Sequence, residues 1–259
     1  MDTYAAGTMM IAASAIAAVA GLVLMRRFGY FRSQIISHEV SGQYLSIVGT
    51  LYAVLLGLIV VDAMEQFQKV TTLVGEESNA LAELIYLAGR MPGPVKADVQ
   101  RRAAEYARLV IDEEWPRMAQ GGHLPEARRA CFDLMRAVRD WEPATESEKA
   151  VYAAAVPAAA DYWNARRLRI IACQSGIPPL EWCAVILGGI VTVGLTYFLV
   201  IEDFRIQVAL TGLVAVLISL NIFLILVFGY PFSGEIRVSP ENFHEALAFL
   251  KLETPNGSR

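Results

Sequence analysis

His38-Glu39 and His244-Glu245 are the two places where this chain starts as a zinc-protease helix would, with a histidine ligand beside a general base. Neither continues. The second histidine four residues after the first is missing from both, so two imidazoles never share one helical face. Two acidic runs, Glu76-Glu77 and Asp112-Glu113-Glu114, have the residue types to hold a hard cation or to do acid/base work. Adjacent acids on one helix point different ways, however, which predicts solvated faces or ion pairs with local arginines. Cys131, Cys173 and Cys183 are odd in number and form no C-x-x-C pair, so they read as reduced, small apolar residues. Phosphate-cradling glycine loops and a G-x-S-x-G elbow are missing from the sequence. With no nucleophile, base or metal constellation, an enzyme is not expected and no cofactor is implied.

The elements that would position any site are dominated by four charge-free apolar stretches, Thr3 to Met25, Val40 to Val61, Trp182 to Ile201 and Ile206 to Gly234. A bilayer core about 30 Å thick needs roughly 20 apolar residues of helix to cross it with every backbone group bonded internally. Each stretch meets that requirement, so an all-α integral membrane protein with four transmembrane helices is expected. Only Asp2 precedes the first stretch, while Arg26 and Arg27 follow it, which reads as a retained span and not a signal peptide. Basic residues near the spans number four on one side (Arg26, Arg27, Arg32, Arg205) and five on the other (Lys69, Arg166, Arg167, Arg169, Arg237), too even to set orientation.

No Asp, Glu, Lys, Arg or His lies inside a span, which disfavours coupled transport. Small residues recur every four positions in the first span (Ala13, Ala17, Gly21) and in the second (Gly49, Ala53, Gly57), spacing that lets helices approach closely in lipid. The candidate pore or helix-packing residues are Gly49, Tyr52, Ala53, Leu56, Gly57 and Val60 of the second span. Asn221, a primary amide deep in the fourth, joins them as an interhelical hydrogen-bonding group.

Of the 48 charged residues, 31 lie between Met64 and Pro179, 15 basic and 16 acidic, which marks a water-facing segment without the polycationic face that nucleic acid requires. Phe67, Val70, Val74, Leu81, Leu84 and Ala88 alternate three and four apart, with Glu77 in the missing slot of a heptad seam. The second helix is therefore expected to continue for several turns until Met91-Pro-Gly-Pro94. Further helices are predicted over Val95 to Glu114, stopping near Trp115-Pro116; from Pro125 to Trp141; and from Glu146 to Cys173, with a kink or break at Pro157. Ser175-Gly-Ile-Pro-Pro179 turns into the third span, and Glu202-Asp-Phe-Arg205 suits a tight link to the fourth. Ser239-Pro240 starts a short amphipathic helix carrying Phe243, Leu247 and Leu250. The expected domains are residues 1–63 (spans one and two), 64–179 (a helical soluble domain inserted between spans two and three), 180–234 (spans three and four) and 235–259 (amphipathic helix and tail).

Several blocks together resemble the bestrophin-like family of bacterial membrane proteins: Gly49-Thr-Leu-Tyr-Ala-Val-Leu-Leu-Gly57, Glu114-Trp-Pro116, Ser175-Gly-Ile-Pro178 followed by Trp182, and Pro231-Phe-Ser-Gly-Glu-Ile236 followed by Ser239-Pro240 and Phe243. The resemblance spans nearly the whole chain. It implies a remote likeness to the bestrophins, pentameric anion channels with four spans per subunit and a helical cytosolic domain between the second and third. By that analogy this chain sits in the bacterial inner membrane, its middle domain and termini are cytosolic, and a pore runs along the second span. The apolar neck motif of bestrophins has no residue-by-residue match here, and their calcium clasp has no counterpart near Glu235 to Glu245, so calcium gating is not implied.

Two functional readings follow. In the first, a homo-oligomer, pentameric by analogy, forms a passive pore for small ions, anions among them, with the lipid bilayer as its medium. In the second, the chain is a membrane-anchored interaction or sensor protein that uses its helical domain and transports nothing. Nucleic acid is a partner in neither.

Overall fold

The computed structural model describes residues 3–28, 38–174, 176–199, 201 and 203–253. Arg32, Ser175 and Glu202, and the side chains of His38 and Glu39, lie outside the described residues. Helix is the only regular structure among the described residues, which contain no strand. The helices are α1 (Thr3–Arg27), α2 (His38–Ala88), α3 (Gly93–Leu109), a π-helical turn (Val110–Glu114), α4 (Trp115–Met118), α5 (Pro125–Arg139), α6 (Glu146–Gln174), α7 (Pro179–Tyr197), α8 (Phe204–Gly229) and α9 (Glu241–Glu253). Four helical segments are long and apolar enough to cross a membrane: Thr3–Arg27, Gly42–Ala88, Glu146–Tyr197 and Phe204–Gly229. In the third of these the long charge-free stretch lies in α7, beginning at Trp182 just past Glu181.

The chain divides into two compact units, and α2 contributes to both. One unit comprises residues 1–66, 177–229 and 234–236. There α1 packs on α8, and α7 and α8 form an antiparallel pair whose contact buries Thr196 and Thr211, hydroxyl to hydroxyl at 3.2 Å. Tyr197 donates its phenol to the Ala18 carbonyl at 2.7 Å, tying α7 to α1. Gly234 holds a left-handed φ of 79°, which a side chain would strain, and the following amide of Glu235 donates to Thr3 Oγ1 at 2.9 Å.

The second unit comprises residues 67–176, 230–233 and 237–259, and its core is one continuous apolar cluster. The seam of α2 supplies Val70, Val74, Leu81, Leu84 and Ala88 to it, all buried. Pro125 begins α5 at a first-turn position, where its missing N–H is an orphan anyway. Neither Pro116 nor Pro157 breaks its helix. The helix does not stop at Trp115-Pro116: a π turn, in which the Trp115 N–H reaches back to the Val110 carbonyl, widens the coil before the proline, and the helix runs on to Met118. Pro157 sits inside an unbroken α6, flanked by Ala153, Ala154, Ala155, Ala158, Ala159 and Ala160, strong helix formers that leave space around the ring. The C-terminal helix α9 belongs to this core, since Phe243 is fully buried in it.

Candidate functional site

Helix α2 presents three distinct faces. Tyr52, Leu56, Ile59 and Ala63 form the buried one, and the first three cluster with Val185 of α7 and Ile225 of α8. Tyr52 donates its hydroxyl to the Val185 carbonyl at 2.7 Å, and its ring lies where a Cβ on Gly188 would overlap it. This glycine is needed for the close approach of α2 and α7. Val60 packs at the edge of the same cluster. A quarter turn away, Ser46, Thr50, Ala53 and Gly57 are exposed in the single chain and Gly49 is half-buried beside them, with open space around both glycines. A further quarter turn on, Val54, Leu58 and Val61 form an exposed aliphatic face. Of the candidate residues, Tyr52, Leu56 and Val60 thus serve packing within the chain, and Gly49, Ala53 and Gly57 face outward. Asn221 is half-buried and donates to the Leu217 carbonyl of its own helix at 2.9 Å. In the first span Ala13 and Ala17 are exposed, while Gly21 faces the Tyr197 hydroxyl.

A second constellation lies in the helical unit. Glu77 of α2, Tyr106 of α3, Glu114 of the π turn, and Arg166 and Arg169 of α6 converge with at most 2% of any side chain exposed. Arg166 grips Glu114 through two parallel bonds of 2.7 Å and donates to the Tyr106 hydroxyl at 2.8 Å. Arg169 binds both oxygens of Glu77 and reaches Glu114 at 2.9 Å. Tyr106 donates to Glu77, and the Leu124 amide donates to Glu114 at 3.1 Å. The guanidinium of Arg169 also faces the rings of Trp115 and Phe243, at 5.5 and 5.7 Å, and its remaining nitrogen contacts Met118 Sδ. Two acids and two arginines balance, and each is held by more than one partner, as buried charge requires.

This constellation holds charge in place. Burial alone would raise the Glu114 carboxyl, but the hydrogen bonds and charges of Arg166 and Arg169 outweigh it and hold the group at about 2. Burial and the Glu77 charge push the Tyr106 phenol far above its ordinary range. Burial likewise raises the Cys131 thiol to about 12, so it stays protonated. All three cysteines are free.

Glu77 and Glu114 do not lie on solvated faces or pair with local arginines, as their sequence neighbourhoods suggest. Their neighbours Glu76, Asp112 and Glu113 do face water. The signal for the buried pair was the acid in a heptad slot, where a core position holding a charge demands a distant partner.

Acid should therefore loosen the fold in a defined window. Glu114 ordinarily titrates near 4.5 but is held at about 2 in the native state, so its ionisation stabilises the fold above pH 4.5. That contribution, on the order of 3 kcal/mol, disappears as pH falls from 4.5 to 2. Thermal unfolding of the native chain should drop across this window, and Glu114→Gln should flatten that part of the drop. Equal acid sensitivity in both chains would rule the mechanism out.

The family model for the bestrophin-like domain matches residues 11–243. A crystal structure described as that of a membrane protein is similar to this chain with a TM-score of 0.67 at 10% identity, covering 96% of this chain and 99% of the other. Two crystal structures of a bacterial bestrophin homologue from Klebsiella pneumoniae, each with one point mutation, are similar with TM-scores of 0.66. One is 10% identical and covers 99% of this chain and all of its own; the other is 11% identical and covers 96% and 99%. No curated protein matches by sequence.

Proposed function

Because the chain belongs to the bestrophin-like domain family, we propose that it is a homo-oligomeric channel of the bacterial inner membrane, a passive pore for small ions with anions as the leading class. The carrying observation is the arrangement of faces on α2: one is used within the chain, and the small-residue and aliphatic faces beside it are not. In this reading Gly49, Ala53 and Gly57 pack against a neighbouring subunit. Val54, Leu58 and Val61 then face the axis and form a hydrophobic constriction that conducts when wetted. A 51-residue helix extends about 75 Å, more than twice the bilayer core, so α2 also reaches well beyond the membrane. The helical unit is then the soluble domain, inserted between the second and third spans on the cytoplasmic side, and α7 and α8 complete the membrane part.

The test is halide flux into liposomes carrying the purified chain, with a valinomycin-clamped potassium gradient and empty liposomes as control. Leu58→Ser should increase flux about fivefold, the effect of lowering the wetting barrier by about 1 kcal/mol. Ala53→Leu should abolish it together with the oligomer, by crowding the small-residue face. Silence from a correctly assembled native oligomer would overturn the channel and leave the membrane-anchored interaction protein.

A further inference from the structure

An open groove of about 600 Å³ runs between α5 and α6 in the helical unit. Its floor is apolar, with Phe132 and Val156 still 38% and 37% exposed, an uncommon surface for a water-facing helix pair. Its rim carries Arg129, Arg136 and Arg139 against the single acid Asp133. Each rim arginine makes an exposed pair with a neighbouring acid, Glu126, Asp133 or Asp140, of the kind worth little and readily exchanged. Arg129 and Arg139 are ten residues apart on one helix, about 15 Å. Charges spread over that length suit a surface better than the single head of a small amphipathic anion.

The same unit carries a complementary surface. On α3 and the π turn a shallow recess is lined by Glu105, Asp112 and Glu113, against Arg101 and Arg108, with Glu105 in an exposed pair with Arg101 at 3.6 Å. Asp112 and Glu113 are exposed and make no ion pair among the described residues. From Glu105 to Glu113 is about 12 Å along the helix, close to the span of the rim arginines. Helix α5 packs on both α3 and α6, so groove and acidic recess belong to different faces of one unit.

We propose that the groove between α5 and α6 receives the acidic face of α3 and the π turn from a second copy of this chain. Phe132 and Val156 are covered by the partner helix, and its acids exchange pairs with Arg136 and Arg139. A contact between two different faces is heterologous, and repeated about one common pore axis it closes a ring. The inference rests on the oligomeric reading above and gives it a second interface, outside the membrane.

The test uses the full chain in native membranes. Arg139→Cys and Glu113→Cys, carried on differently tagged copies and co-expressed, should cross-link on mild oxidation into a species of twice the chain mass that contains both tags. Neither variant alone, nor the native chain, should give it. A chain with both substitutions should give a ladder ending at the closed ring. As a complement, Arg136→Glu should lower the oligomer fraction in native mass spectrometry, and adding Glu113→Arg should restore it. An oligomer of native size with no mixed cross-link overturns this interface and leaves the channel standing. Cross-links in a chain silent to halide support the interface and overturn only the channel; a monomer in membranes overturns both.

Discussion

Arg169→Met is expected to destabilise the chain by about 3–5 kcal/mol, because it leaves the Glu77 carboxylate buried without its counter-charge. Few substitutions in the molecule should cost more. Burial is complete on both sides of the pair, so water cannot enter to replace the lost guanidinium. Glu114 is affected less, since Arg166 still grips it through two bonds. The diagnostic is the double variant Glu77→Met with Arg169→Met. When both charges are removed, no unpaired ion remains, and a well-packed apolar pair often matches a buried salt bridge in stability. The double variant should therefore unfold at a higher temperature than Arg169→Met alone, measured on the detergent-solubilised chain. Additive losses would show that the arginine matters through its stacking on Trp115 and Phe243 and not through its charge.

Gly188→Leu should be the most damaging change in the membrane-spanning unit. A Cβ at this position already overlaps the ring of Tyr52, and that ring is fixed by its hydroxyl bond to the Val185 carbonyl. Overpacking of this kind costs about 1–3 kcal/mol. It would also push α2 away from α7, which shifts the outward faces of α2 as well. Tyr52→Ala vacates the space, so the pair of substitutions should recover part of the loss in thermal stability. Tyr52→Phe alone removes one hydrogen bond and should cost only about 1 kcal/mol. If Gly188→Leu is as stable as the native chain, the close approach of the two helices does not hold.

What could be read in the sequence divides by the range of the interactions involved. The four apolar helices, the run-on of α2 to Ala88, and α5 starting at Pro125 all follow from local pattern: span length, heptad spacing and a proline at a first turn. Pro116 and Pro157 show where local rules lose to context. The proline rule gives a stop near Pro116 and a kink or break at Pro157, but a π turn before the one and small alanines around the ring of the other let each helix run on. The buried cluster was harder still. Glu77 meets Arg169 across 92 residues, and Glu114 meets Arg166 across 52. The heptad seam sets Glu77 apart from exposed Glu76, but nothing local separates Glu114 from exposed Glu113 except the helical phase that packing fixes. On α2, periodicity marked the small residues Gly49, Ala53 and Gly57, yet only the fold shows that Tyr52, Leu56 and Val60 belong to a different face.

The burial of α9 has a consequence for how the chain is made. Trp115 donates its indole N–H to the Val238 carbonyl at 3.1 Å, and Phe243 lies against Arg169, Trp115 and Tyr106. More than a hundred residues separate the indole from its acceptor, so during vectorial synthesis α7 and α8 must emerge before Val238 and Phe243 do. Until then the nascent helical unit holds an unsatisfied donor and an uncovered guanidinium at its centre. Translation of the last span must finish before that domain can mature, which couples the timing of its folding to completion of the membrane-inserted part.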